Sequence, residues 1–117
     1  MSLASNVVVA LIALLHVYIL VLEMFLWEKP QGLRIFGLTP AFAAQSRVLA
    51  ANQGLYNGFL AAGLLWSLYL GPSGEPVKVF FLGCVLVAGL YGGMTANKRI
   101  LVIQALPAAV GLVLVAL

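Results

Sequence analysis

The chain has 117 residues, of which 64% are hydrophobic and 8% charged, with a mean hydropathy of +1.15. Soluble domains carry charge on roughly a quarter of their residues, so this composition argues against an ordinary soluble domain and places the chain in a bilayer, with membrane lipid as its surroundings. The net charge of +3 comes from a few separated basic residues that flank apolar runs, a pattern that argues against nucleic acid as a partner.

The first apolar run, MSLASNVVVALIALLHVYILVLEMFLW, lacks the basic segment that opens a secretory signal and is longer than the ~7–15 residues of a signal core. It reads as a retained helix crossing the membrane over about residues 5–26. His16 and Glu23, seven positions apart, share one face of that helix about two turns from each other. A carboxyl within a span costs about 2.5–3.5 kcal/mol on insertion scales. Glu23 therefore either faces the protein interior with a partner or snorkels to the cytoplasmic interface near Lys29 or Arg34. Next comes EKPQGLRIFGL, whose proline, two glycines and polar residues are enough to break helix.

LTPAF offers Thr39 as an N-cap and Pro40 at the first helical position, so a second helix starts there, runs along the interface over about 40–46 and crosses over about 47–69. Its stretch VLAANQGLYNGFLAAGLLW carries Asn52, Gln53, Tyr56 and Asn57 where hydrocarbon would leave hydrogen bonds unmet. GPSGEP breaks helix again before a third span over about 77–96. Cys84 lies alone in that span; with no second cysteine there is no intrachain disulfide and no metal-ligand spacing, so it reads as a packing residue. The short ANKR connection makes a fourth span, over about 99–117, the antiparallel neighbour of the third. The expected fold is all-α, a single integral membrane domain forming an up-down-up-down bundle of four transmembrane helices.

Lys29, Arg34, Arg47, Lys98 and Arg99 fall on one side of this arrangement and Lys78 alone on the other. By the positive-inside rule the first side is cytoplasmic and both termini face outward, as expected of a multi-pass protein of a bacterial cytoplasmic (inner) membrane. Trp27 at one boundary, with Trp66 and Tyr69 at the other, fits interfacial aromatic belts. Gly54 and Gly58, and again Gly89 and Gly93, form G-x-x-x-G pairs that let helix backbones approach. Packing within the bundle is the favoured use, a homo-oligomer seam the alternative.

At 1.5 Å per residue, Glu23 lies about 10 Å to the cytoplasmic side of the midplane, Asn52 and Gln53 about 6–8 Å, Tyr91 about 7 Å, and Gln104 at comparable depth. Four helices thus bring polar groups to one half of the bilayer. On this reading Asn52, Gln53 and Asn57 face inward toward Glu23, Tyr91, Gln104 and, nearer the midplane, His16, although Asn52 and Gln53 point about 100° apart. Pro107, one turn beyond Gln104, also frees a carbonyl near Ile103. Such a cluster is either helix-to-helix bonding or a cavity for a ligand. Burial favours the neutral forms of Glu23 and His16, which makes Glu23 the candidate catalytic acid. His16 and Glu23 lie about 10.5 Å apart along the helix, and no nucleophile stands beside a base.

LEMFLW (Leu22 to Trp27), FGLTP (Phe36 to Pro40), RVLAANQGLYNGFLAAGL (Arg47 to Leu64), AGLYGG (Ala88 to Gly93) and QALPA (Gln104 to Ala108) together resemble the small bacterial membrane proteins of the domain of unknown function 1304 family. The resemblance covers nearly the whole chain and implies four transmembrane helices; it assigns no reaction, substrate or cofactor. Its blocks include Glu23, Asn52, Gln53, Tyr56, Asn57, Tyr91 and Gln104.

The leading expectation is a polar pocket, open toward the cytoplasmic half, that binds or transforms a small lipophilic molecule through His16, Glu23, Asn52, Gln53, Asn57, Tyr91 and Gln104, with no metal and no cofactor. Isomerisation or hydration with Glu23 as the acid is an enzymatic version of it. The alternative is a non-catalytic membrane component, either a small oligomeric transporter or a structural partner of another membrane protein. VVVALIALL, FFLGCVLVAG and AAVGLVLVAL carry no charge in the outer half, which weighs against a continuous transport path.

Overall fold

The structure, a computed structural model, describes residues 2–117, and every regular element among them is helical. In chain order these are α1 (Leu3–Met24), α2 (Pro30–Phe36), α3 (Pro40–Tyr69), a 3₁₀ turn (Gly71–Gly74), α4 (Glu75–Thr95), a π-helical turn (Leu101–Ala105) and α5 (Leu106–Ala116). Two helical stretches, Leu3–Met24 and Gly71–Thr95, are long and apolar enough to cross a membrane; Leu101–Ala116 is apolar but shorter. α3 has the length, at 30 residues, but the polar residues of its middle set it apart from those two.

The chain divides into two compact units, residues up to Leu14 with Leu60–Leu117, and Leu15–Phe59. In the first unit, Val9, Ile12 and Ala13 of α1, Leu64 of α3, Leu82 and Val85 of α4 and Ala108 of α5 form the buried core, flanked by Phe81, Leu86 and Leu112. Ser2 caps α1, its Oγ accepting from the Ser5 N–H at 3.1 Å. The expected tight connection between the last two helices is present. Asn97 organises it, its Oδ1 accepting from the Arg99 N–H at 2.9 Å and its carbonyl from the Ile100 N–H at 3.0 Å. The backbones then come close enough that a Cβ on Gly89 would strike the backbone of Ala105, and one on Gly93 the side chain of Leu101.

The π-helical turn lies immediately before the turn of helix that holds Pro107. A proline inside a helix has no N–H to donate, and its ring presses on the carbonyl four residues earlier, here Ile103. The helix opens into a wider turn at that point, and the Leu106 N–H reaches back five residues to the Leu101 carbonyl.

In the second unit α3 begins at Pro40 as the sequence predicts, with Thr39 Oγ1 accepting from the Phe42 N–H at 3.2 Å. The segment expected to be free of helix instead forms the seven-residue α2. Pro30 sits at its first turn, where a missing N–H costs nothing, and Gly32 fits against the carbonyls of Leu26 and Trp27 with no room for a side chain. Gly37, at φ 64°, ends the helix in the left-handed conformation that glycine adopts without strain, and the Leu38 N–H returns to the Leu33 carbonyl at 2.9 Å. Trp27 ties this corner together, donating from Nε1 to Ser46 Oγ at 3.1 Å while its ring lies 5.0 Å from that of Phe36.

Candidate functional site

Glu23 sits in the last turn of α1 and is 4% exposed. It reaches neither Lys29 nor Arg34; the ion pair among the described residues is Glu28 with Arg47, at 3.7 Å. Its carboxyl turns inward to α3, where Asn57 Nδ2 donates to Glu23 Oε1 at 2.7 Å. A glycine of α3 makes that meeting possible. Gly54, one turn before Asn57, lies against Glu23 Cβ, Met24 Cγ and the Leu20 carbonyl, so a Cβ there would hold the helices apart. Gly58 packs on Leu20 in the same way. Both G-x-x-x-G pairs are thus taken up by packing within the chain.

The same Asn57 nitrogen donates at 3.2 Å to the backbone carbonyl of Gln53. A carbonyl can only accept, so this contact fixes which end of the carboxamide carries its protons. Both amide protons are then committed, one to Gln53 and one to Glu23. The remaining atoms of the pair, Glu23 Oε2 and Asn57 Oδ1, take no hydrogen bond among the described residues, and neither is sealed from the surface. The site therefore offers two oxygens beside one short bond. They accept when Glu23 is ionised, and Glu23 can donate when it is protonated.

The other expected site residues are distributed differently. His16 is fully buried in the same unit. Asn52 and Gln53 were expected to face inward and do not: both side chains are exposed, and Gln53 serves the site only through its carbonyl. The cause is the phase of α3, which turns Ala43, Ala50, Gly54 and Asn57 inward because small residues permit the closest packing. Asn52, two positions before Gly54, is carried about 200° round the helix from it. Tyr56 is exposed as well, as are Tyr91, at 71%, and Met94 at the end of α4. Tyr91 and the half-buried Gln104 belong to the other unit.

One polar pair was missed from the sequence. Lys78, read as the lone basic residue of the outer side, is fully buried, and its Nζ donates to Asn6 Oδ1 at 2.6 Å. The signal was present, because Lys78, Leu82, Val85, Gly89 and Gly93 repeat at helical spacing and make up the buried side of α4. No group of three or more metal-ligating side chains occurs among the described residues.

Comparison with known proteins places this geometry in context. The family described as "Protein of unknown function (DUF1304)" matches residues 10–116. The chain is similar to the uncharacterized protein YpaA of Lactococcus lactis subsp. lactis (strain IL1403), 33% identical over 107 residues that cover 89% of each chain. No solved structure matches.

Proposed function

The chain belongs to the DUF1304 family, and we propose that it is a four-span protein of the bacterial cytoplasmic membrane that holds the hydrogen-bonding head of a small lipophilic molecule at Glu23 and Asn57. Four spans follow if α3 and the final helix cross alongside the two helices of evident membrane length, and the basic residues then put both termini outside.

The observation that carries the binding reading is the pair's incomplete bonding. A carboxyl brought into an apolar setting is costly unless its oxygens are satisfied, yet Asn57 serves only Oε1. Oε2 and Asn57 Oδ1 together suit a hydroxyl or amine on an otherwise apolar molecule that arrives through the lipid. His16 lies buried two turns away on the same helix face.

The test is native mass spectrometry of the gently purified protein and its Glu23→Gln variant, which keeps an oxygen for Asn57 to bond. A small molecule bound to the parent and lost from a folded variant supports the reading. An identical bound fraction in both removes Glu23 from recognition. A second reading, that the pair only locks α1 to α3, is favoured by the full commitment of Asn57's amide protons; it predicts no ligand in either protein.

A further inference from the structure

Asn52 lies on a helix face directed away from its own unit, although its depth is about 8 Å from the centre of a hydrocarbon layer whose half-thickness is about 15 Å. Acyl chains offer nothing to a carboxamide's two donors and two acceptors, so a position facing lipid there leaves them unmet. Its neighbours form a pattern. Gln45, Leu49, Asn52, Tyr56 and Phe59 are all exposed and succeed one another at steps of four, three, four and three. That 3.5-residue spacing keeps the five on one face, as the seam of a helix coiled about a second helix requires. Leu49 is 73% exposed, Tyr56 62% and Phe59 55%, and the last two rings stand 5.9 Å apart on the same face.

We infer that this face of α3 is the seam of a parallel homodimer in which Asn52 of one copy bonds Asn52 of the other. The inference rests on the proposal that α3 spans the membrane. Copies inserted in the same orientation are related by a two-fold axis along the membrane normal, so residues of equal depth meet. A carboxamide is suited to that meeting because its donors match its own acceptors across the axis. No charged side chain lies among the five seam positions to oppose the approach. Gly54 and Gly58 of α3 are already used against α1, which leaves the opposite face for a partner. The three carboxamides thus divide their work, with Asn57 serving the chain's own carboxyl and Asn52 a second copy, while Gln53 lies on the flank of the seam.

The experiment uses the full chain, with Cys84→Ala, purified and reconstituted in phosphatidylethanolamine and phosphatidylglycerol vesicles. Leu49→Cys and Tyr56→Cys, made separately, are expected to form disulfide dimers on mild oxidation, while Val87→Cys on α4 is not. Adding Asn52→Leu should weaken association about tenfold as the vesicles are diluted with lipid, and Asn52→Gln should restore most of it. Position 52 is exposed, so neither change disturbs the chain's own packing. Cross-linking at 49 and 56 no stronger than at 87, or association indifferent to Asn52→Leu, overturns the seam. A disulfide adduct with a different protein in cells, with no dimer from the purified chain, assigns the face to that protein and overturns the second copy. Ready maleimide labelling of Leu60→Cys from water would show instead that α3 does not cross, and the inference would fall with that reading.

Discussion

Lys78 Nζ donates to Asn6 Oδ1 at 2.6 Å, joining the first turn of α4 to the first turn of α1 across 72 positions of sequence. The lysine is fully buried, so the ammonium has exchanged water for protein partners. A charge in that situation depends on each of them.

Asn6→Leu should accordingly lower stability by about 1.5–3 kcal/mol, the range for a hydrogen bond to a charged group. Lys78→Met combined with Asn6→Leu should recover part of that loss, because the charge is removed together with its acceptor. Thermal unfolding of the three proteins in one detergent measures both. A double variant no more stable than Asn6→Leu would mean that the lysine is satisfied without Asn6.

At the Glu23 site the two partners should behave unequally. Asn57→Leu strips the donor from a buried oxygen and should cost about 1–3 kcal/mol. Glu23→Gln keeps an acceptor for Asn57 and should cost less. Equal losses in denaturant titration would show that the carboxyl's charge, rather than its bond to Asn57, is what matters.

Two glycines of α4 make a matched comparison. Gly89→Ala pushes a methyl into the backbone of Ala105 and should destabilise by about 1–3 kcal/mol. Gly83→Ala meets nothing within 4 Å and, by raising helix propensity, should be neutral or stabilising by up to about 1 kcal/mol. Similar melting temperatures for the pair would contradict the close approach of α4 to the turn before α5.

Membrane orientation can be read directly. Alkaline phosphatase fused after Leu117 should be active and fused after Asn97 inactive, with green fluorescence from the reciprocal fusions showing the opposite pattern. Activity at both points would refute an arrangement with Lys98 and Arg99 inside.

Much of the helical organisation was legible because its signals are local. Thr39 and Pro40 announce the start of α3, and the apolar runs give α1 and α4 to within a few residues. The inward turn of Glu23 was legible as a demand for a partner. Which of three carboxamides would meet it was not, since periodicity fixes the angles between Asn52, Gln53 and Asn57 but not the face the helix turns inward. Gly54 decides that phase, and it does so through contact with Glu23 and Met24, residues distant in sequence. The partner of Lys78 was not legible because Asn6 lies 72 positions away, although the lysine falls on the buried side of α4. α2 was hidden by Pro30 and Gly32, residues that oppose helix in general and are tolerated at these two positions.

The wide turn at Leu101–Ala105 acts as an inserted residue. Side chains beyond it are rotated by roughly 100° relative to an uninterrupted α-helix, so the inward stripe of the final helix changes track partway along. Removing one residue from the turn would straighten the hydrogen-bond ladder while leaving the stripes on either side in place, and a shortened chain that melts like the parent would show it. The turn before the carboxyl-terminal helix is consequently a place where evolution could lose a single codon without scrambling what lies beyond it.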